Sequence, residues 1–127
     1  MKKTLLFVSF ILLGSVLFAQ PGKVSSAVSF KESGKIAEAF SAIEEAVDAN
    51  NPKAAKSVIQ PRSWEVRGEV FQAIFQSKDA AVKKLSNDPL TEAVNSYKKA
   101  LELDTKNRIA KSVKIKLTLL VNDLTNQ

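Results

Sequence analysis

The chain contains no cysteine and no histidine among its 127 residues. Disulfide frameworks, thiolate or imidazole metal sites, and every catalytic triad that uses Cys or His are therefore excluded. The remaining reactive side chains are those of Ser, Asp, Glu, Lys and Tyr, and they form no recognisable catalytic constellation. We therefore expect a protein that is not an enzyme, with no catalytic residue, no metal site and no cofactor.

Glycine and proline are also scarce, with four of each, and no long stretch alternates β-branched with polar residues. A sheet is therefore not expected. Apolar residues make up 45% of the chain and recur at spacings of three and four, whereas charged residues make up 25%. This balance is typical of a globular protein, and the length allows one small domain. The expected fold class is all-α.

Residues 1–19 follow the three-part plan of a secretory signal peptide. Lys2 and Lys3 supply the positive start, an apolar run extends from Leu5 to Leu17, and Ala19 is the small residue at the expected cleavage point. An uncleaved membrane anchor is the alternative, but the run is shorter than the about 20 apolar residues that span a bilayer. We therefore expect an exported protein in the periplasm or cell envelope, with no membrane span after cleavage.

Apolar spacing predicts five main helices in the rest of the chain. Gly34 suits the end of the first helix, and Asp88 with Pro89 suits the start of the fourth. The segment 53–60 is compatible with either a polar linker or a short extra turn, and a partial helix is expected near 80–85. The five predicted helices are Ser25–Ser33, Ile36–Asp48, Pro61–Gln76, Leu90–Leu103 and Arg108–Leu124.

Small and large apolar residues recur at matching positions of successive helices. The second and fourth helices share the pattern Ala-x3-(Ile/Tyr)-x2-Ala, and the third begins with Trp-x2-Arg-Gly-x2-Phe. This pattern resembles the tetratricopeptide repeat, in which small residues let paired helices approach closely. The positions that carry the resemblance are Ala27, Phe30, Gly34, Ala39, Ile43, Ala46, Trp64, Gly68, Phe71, Ala93, Tyr97 and Ala100.

The resemblance implies tetratricopeptide-like hairpins that form a short right-handed α-solenoid over residues 20–127. The first hairpin covers about 23–51, the second about 61–105 with a long loop inside it, and a third begins at about 108–127. It also implies an exported scaffold that mediates protein–protein interaction in the bacterial cell envelope, with another protein or peptide as its partner. The alternatives are a structural subunit that assembles with copies of itself, and the N-terminal part of a longer repeat array.

Four basic residues are candidates for partner contacts. Arg67 either projects into the groove of the repeats as an anion contact or pairs with a nearby acid. The other three, Arg108, Lys111 and Lys114, lie in a basic segment near the C-terminus. That segment has no interleaved aromatic residue, so we do not expect a nucleic-acid partner.

The last predicted helix has a second apolar side, formed by Ile115 and Leu119. A helix with two apolar sides normally lies between two neighbours. Self-association through Ile115 and Leu119 is therefore a further expectation.

The signal peptide predicts that the mature protein begins at Gln20. The intact mass of exported protein is the measurement. A mass that includes residues 1–19 would instead identify this segment as a retained anchor.

Overall fold

The structure is a computed structural model, and it describes residues 22–126. The predicted signal peptide and its cleavage point lie outside these residues. Within 22–126 the chain forms helices and no strand, which confirms the expected all-α class. The helices are α1 (Lys23–Glu32), α2 (Ile36–Ala46), α3 (Pro61–Gln76), α4 (Ala80–Lys83), α5 (Pro89–Leu103) and α6 (Ala110–Thr125).

The turn between α1 and α2 depends on Gly34, whose φ of 77° lies in the left-handed region that glycine adopts without a steric penalty. This confirms the predicted end of the first helix. Helix α1 nevertheless begins at Lys23, two residues before the predicted start. Helix α2 ends at Ala46, two residues before the predicted end at Asp48. The Asp48 Oδ1 atom accepts a hydrogen bond from Asn50 N. That local bond favours a turn over further helix.

The segment between α2 and α3 is a short extra turn, one of the two alternatives that the sequence left open. Residues Pro52–Ala54 form a 3-10 turn, which begins where Asn51 Oδ1 accepts from Lys53 N at 3.1 Å. Ser57 Oγ then donates to the carbonyl of Ala46 at 2.5 Å. Trp64 Nε1 donates to the carbonyl of Val58 at 2.7 Å. One side chain of the connection, Ser57, and one side chain of α3, Trp64, therefore hold the connection against the two helices.

Helices α3 and α5 form the most extensive contact between helices. Helix α3 has the predicted bounds, and α5 begins as predicted, with Asp88 Oδ1 accepting from Thr91 N and Pro89 in the first helical position. Gly68 lies where the two helices are closest, because a Cβ built there would be 2.5 Å from Tyr97 Cε1. The absent side chain of Gly68 is therefore what admits the buried Tyr97 ring.

The remaining helices extend the same packing on both sides. Helix α1 packs on α2 and on α3, α2 packs on α3, and α6 packs on α5. The rings of Phe40 and Phe71 meet edge to face between α2 and α3, with centroids 5.6 Å apart. One continuous core results, and its fully buried members include Ala27, Ala39, Ile43, Val66, Val70, Ile74, Ala93, Tyr97, Ala100, Val113 and Leu120.

Helix α6 begins at Ala110 because the preceding loop is fixed by a single carboxylate. The Asp104 side chain, only 6% exposed, accepts hydrogen bonds from the backbone amides of Arg108 (3.0 Å) and Ile109 (2.9 Å). Asn107 takes a φ of 53°, a conformation that asparagine tolerates better than most residues. The predicted helix start at Arg108 was therefore two residues early.

The two apolar sides of α6 differ in burial. Val113 and Leu120 are fully buried, whereas Ile115 and Leu119 are each 55% exposed. The apolar spacing of the last predicted helix also predicts a covered side formed by Ile109, Val113, Leu117, Leu120 and Leu124. Leu124 is 41% exposed, so the expectation was wrong for this residue. Leu124 lies in the last turn of α6, after Leu120, which is the last buried residue of the helix. Among residues 22–126, no helix has the length and apolar character needed to cross a bilayer.

We expect Gly68→Ala to destabilise the protein by about 1–3 kcal/mol, because the added methyl overlaps the Tyr97 ring. The same substitution in an unconstrained helix stabilises it by about 0.5–1 kcal/mol, so the sign of the change is diagnostic. Urea denaturation measures it, with Ser41→Ala at an exposed site of α2 as the control. In a Tyr97→Leu background the cost of Gly68→Ala should largely disappear. An equal cost in both backgrounds would show that the ring is not the cause.

Candidate functional site

One side of α3 carries a group of charged and polar residues that reaches two other helices. Glu65 and Glu69 lie four residues apart, on the same side of α3. Basic side chains approach them from α1, α3 and α6, so that the first helix of each predicted hairpin contributes. We call this group the charged face, and its members are Lys31, Arg62, Glu65, Glu69, Ser112 and Lys116.

Glu69 joins α1 to α6 through its two carboxylate oxygens. Lys31 Nζ lies 2.8 Å from Oε2, and Lys116 Nζ lies 2.6 Å from Oε1. The Glu69 side chain is 14% exposed, whereas those of Lys31 and Lys116 are 25% and 29% exposed. The two lysines therefore cover the carboxylate while their own ends still reach solvent. This single acid connects three helices that the chain order separates.

Glu65 is the more deeply buried acid, with a side chain only 3% exposed. Lys116 Nζ donates to its Oε1 at 2.5 Å, Ser112 Oγ donates to the same oxygen at 3.2 Å, and Arg62 Nη1 lies 3.1 Å from Oε2. A buried charge is tolerated only when it is paired and hydrogen-bonded, and Glu65 meets both conditions. Within residues 22–126, no buried side-chain polar atom lacks a hydrogen-bond partner.

The electrostatics of the charged face favour the ionised forms of Glu69 and Lys116. Burial alone would raise the pKa of Glu69, but hydrogen bonds and charge attraction from Lys116 and Lys31 outweigh it and lower that pKa. For Lys116, burial alone would lower the pKa, but the carboxylates of Glu65 and Glu69 outweigh it and raise that pKa. Glu69 and Lys116 therefore stabilise each other as an ion pair.

Tyr97 lies beneath the charged face and donates a hydrogen bond from its hydroxyl to Gln72 Oε1 at 2.9 Å. Burial raises the pKa of this phenol, and the nearby charges of Glu69 and Glu65 raise it further. A phenol in this position stays protonated at every physiological pH. Tyr97 therefore serves as a packing residue with one satisfied polar atom, which is the role that the repeat pattern predicts for it.

Arg67 lies on the opposite side of α3, and its guanidinium donates three hydrogen bonds within the fold. Nε donates to Glu44 Oε1 (2.7 Å), Nη1 to Ser96 Oγ (2.7 Å) and Nη2 to Glu92 Oε2 (3.0 Å). The guanidinium also lies 4.5 Å from the centroid of the Phe71 ring, within cation–π range. Of the two roles that the sequence left open for Arg67, pairing with nearby acids describes its place in the structure.

A shallow cleft of about 630 Å³ lies beside Arg67, between α2 and α3. Phe40 and Trp64 contribute aromatic surface, whereas Glu44, Glu45 and Asp48 contribute acids. The charge of Glu44 is already balanced by Arg67. The lining of this cleft therefore contains more acidic than basic side chains.

The three other predicted contact residues lie apart from the charged face. Arg108, Lys111 and Lys114 are exposed, and among residues 22–126 none of them forms an ion pair. Arg108 precedes α6, while Lys111 and Lys114 are on its solvent side. They remain available to a partner, but the structure does not bring them together with Arg67.

The charged face itself was not predicted from the sequence. Its signal was the pair Glu65 and Glu69, two acids at helical spacing within the helix that carries Trp64, Phe71 and Phe75. Acids in such a position require cations, and Lys116 is the basic residue of α6 that supplies one. The repeat pattern concerns the apolar positions of α3 and does not predict the partners of its acids.

Comparisons of the chain with protein-family models, with curated proteins and with solved structures found no match. Function must therefore be inferred from the chain's own residues. Within the part of the chain that the structure describes, no group of three acids is placed to hold a metal ion. The charged face brings paired ions and hydrogen-bonding groups from three helices together.

We expect Glu69→Gln to destabilise the protein by about 1.5–3 kcal/mol at pH 7, because it weakens two charge-assisted hydrogen bonds. The pKa of Glu69 in the folded protein is below its ordinary value of 4.5. Its ionised form therefore stabilises the fold fully above about pH 4.5, and this stabilisation is lost as the pH falls through the folded-state pKa.

Denaturant unfolding at pH 7 and pH 3 measures the effect. The gap between the wild type and Glu69→Gln should narrow on acidification. The control is Glu102→Gln, at a carboxylate that is 69% exposed beside Lys99, where we expect a change within about 0.5 kcal/mol at both pH values. A gap of constant size between pH 7 and pH 3 would contradict the ionic role of Glu69.

Proposed function

We propose that the protein is an exported scaffold of tetratricopeptide-like repeats that mediates protein–protein interaction in the bacterial cell envelope. Export is supported by the pattern of residues 1–19. A short α-solenoid is supported by the order of contacts, since α6 packs on α5 as α3 packs on α2. Helical-repeat proteins use the surfaces of their stacked helices to bind other proteins. The fold therefore supports a general binding function and not a particular partner.

The observation that supports this proposal most is that small buried residues recur at the matching repeat positions of the two hairpins. In the first hairpin the fully buried Ala27 and Ala39 occupy the repeat positions that Gly68 and Ala93 occupy in the second. Small residues at both crossings allow the helices of each pair to approach closely. Within each pair, large residues such as Ile43 and Tyr97 are fully buried. In a helical bundle without repeats, small and large residues are not expected to recur at matching positions of the two hairpins.

The charged face is the surface that we propose for partner contact. It extends over α1, α3 and α6, which are the first helices of the three proposed hairpins. Lys31 and Lys116 are partly exposed, and Ser112 is exposed beside them. The ammonium groups of the two lysines have N–H donors beyond those given to Glu65 and Glu69, and these can donate to a backbone carbonyl or an acidic side chain of a partner. The Ser112 hydroxyl oxygen can accept a hydrogen bond.

A second candidate function, self-assembly, is favoured by the exposed apolar side of α6. Ile115 and Leu119 are each 55% exposed. The occupant that we propose for this surface is a second copy of the chain, with its α6 antiparallel to the first. Lys111 and Lys114 lie in the first half of the helix and Asp123 in its last turns, so an antiparallel arrangement brings opposite charges together.

Site-specific photo-crosslinking in the source cells separates the two candidates. A photoreactive amino acid is placed at Ser112 on the charged face, at Leu119 on the apolar side of α6, or at Lys98, an exposed control position on α5. The scaffold predicts one discrete adduct with a different protein from Ser112 and none from Lys98.

Self-assembly predicts instead an adduct of twice the chain mass from Leu119, and its loss in the Ile115→Glu variant. Adducts of equal yield from Ser112 and Lys98 would contradict a specific partner surface. A Leu119 probe that yields no dimer, together with a monomeric mass by light scattering, would exclude the second candidate.

A further inference from the structure

A separate cleft of about 770 Å³ lies at the end of the first hairpin. It is bordered by the first turn of α1, the end of α2, the connection 51–60 and the first turn of α3. Its volume is within the about 300–1,000 Å³ that is usual for ligand pockets. Neither the charged face nor the proposed self-assembly surface accounts for it.

The walls of this cleft are held by specific contacts. Its floor includes Ala46 and Ala54, each 2% exposed, and the buried Ser63. The bond from Ser57 Oγ to the Ala46 carbonyl joins the connection to the end of α2. The bond from Asn51 Oδ1 to Lys53 N shapes the turn at the rim. The cleft is therefore formed before any ligand arrives, which reduces the entropic cost of binding.

Four basic side chains border the cleft, against a single acid. Lys53 and Lys56 are exposed, and among residues 22–126 neither forms an ion pair. Lys23 pairs with the one acid, Glu45, but both side chains are about half exposed, and such pairs contribute little. The fourth cation, Arg62, is 51% exposed while it contacts Glu65. The excess positive charge of the cleft therefore rests mainly on Lys53 and Lys56.

We propose that this cleft binds an acidic peptide segment of a partner protein. Carboxylate side chains would lie against Lys53 and Lys56, while the peptide backbone covers the apolar floor formed by Val24, Ala46 and Ala54. A free phosphate would use the cations but not this floor. Single-stranded nucleic acid requires aromatic surfaces for stacking, and no aromatic residue lines the cleft.

The ligand of this cleft belongs to a partner protein, so this proposal rests on the proposed function. It adds the chemical class of the ligand and the cleft in which the ligand binds. It also separates two surfaces, because the cleft lies beyond Arg62 at the edge of the charged face. At physiological salt the Debye length is about 8 Å, so the lysines act on a ligand only within the cleft and its rim. Binding is therefore expected to depend on these side chains and not on the net charge of the protein.

The test uses protein purified after expression of the full chain. The probe is a fluorescein-labelled peptide of ten alternating Glu and Ala residues, followed by fluorescence anisotropy. A peptide with Gln in place of Glu, inorganic phosphate and a ten-nucleotide oligothymidine are the comparison ligands. The cleft variant is Lys53→Glu with Lys56→Glu, and its matched control is Lys83→Glu with Lys84→Glu at exposed sites of α4 and its C-terminal end. Circular dichroism checks that both variants are folded.

We expect the Glu peptide to bind the wild type and to bind the cleft variant at least roughly tenfold more weakly, because like charges then face each other. The control variant should change the affinity less than about twofold, and the Gln peptide should not bind. No binding of the Glu peptide, or equal losses in both variants, would overturn the proposal. Oligothymidine binding that is tighter and depends on the same two lysines would also overturn it, as would phosphate competing at equal concentration.

This result is independent of the crosslinking at Ser112. If the Ser112 adduct forms while the Glu peptide fails to bind, the scaffold stands and the acidic ligand is wrong. If the Glu peptide binds through Lys53 and Lys56 while Ser112 gives no adduct, the cleft stands and the charged face is not the partner surface.

Discussion

The close contact between Gly68 and Tyr97 is the constraint on which the rest of the structure depends. Because Gly68 has no side chain, the Tyr97 ring lies against the backbone of α3, and α3 and α5 pack along most of their lengths. The same approach brings the Arg67 guanidinium within reach of Ser96 and Glu92 on α5. It also brings the Tyr97 hydroxyl to Gln72. A wider spacing of these helices would leave buried polar groups without partners, at a cost of about 1–3 kcal/mol each.

Helix α3 therefore has an unusual position, with ions on two opposite sides. On one side, acids of α3 receive cations from α1 and α6, and on the other, Arg67 of α3 receives acids from α2 and α5. Buried ion pairs add little net stability compared with apolar packing, but they penalise every arrangement that separates them. Apolar contacts between helices tolerate small shifts along their axes. The two ionic groups remove that freedom, because each fixes the rotation and height of α3 relative to its neighbours.

Local rules predicted the individual helices of this chain well. The bounds of α3, the Asp88–Pro89 start and the left-handed Gly34 all follow from residues within a few positions of each feature. The ionic groups depend on residues distant in the chain, such as Lys116 and Glu65, and helical spacing shows only which side of a helix is apolar. The start of α6 was missed for a related reason, since the Asp104 carboxylate holds the amides of Arg108 and Ile109 in a turn before the helix. Whether the hairpins continue as a regular solenoid is a property of packing angles, which residue patterns alone do not determine.

Helix α6 is attached to the rest of the fold unevenly along its length. Its buried side chains are Val113 and Leu120, its ionic attachment is Lys116, and no residue from Val121 to Asn126 is buried. The helix can therefore unwind from its C-terminal end without disturbing the contact between α3 and α5. Local opening of this kind occurs at a lower free energy than global unfolding. Any molecule that covered Leu119 would favour the fully wound helix, so that occupancy of this surface and the order of the last turns would be thermodynamically coupled.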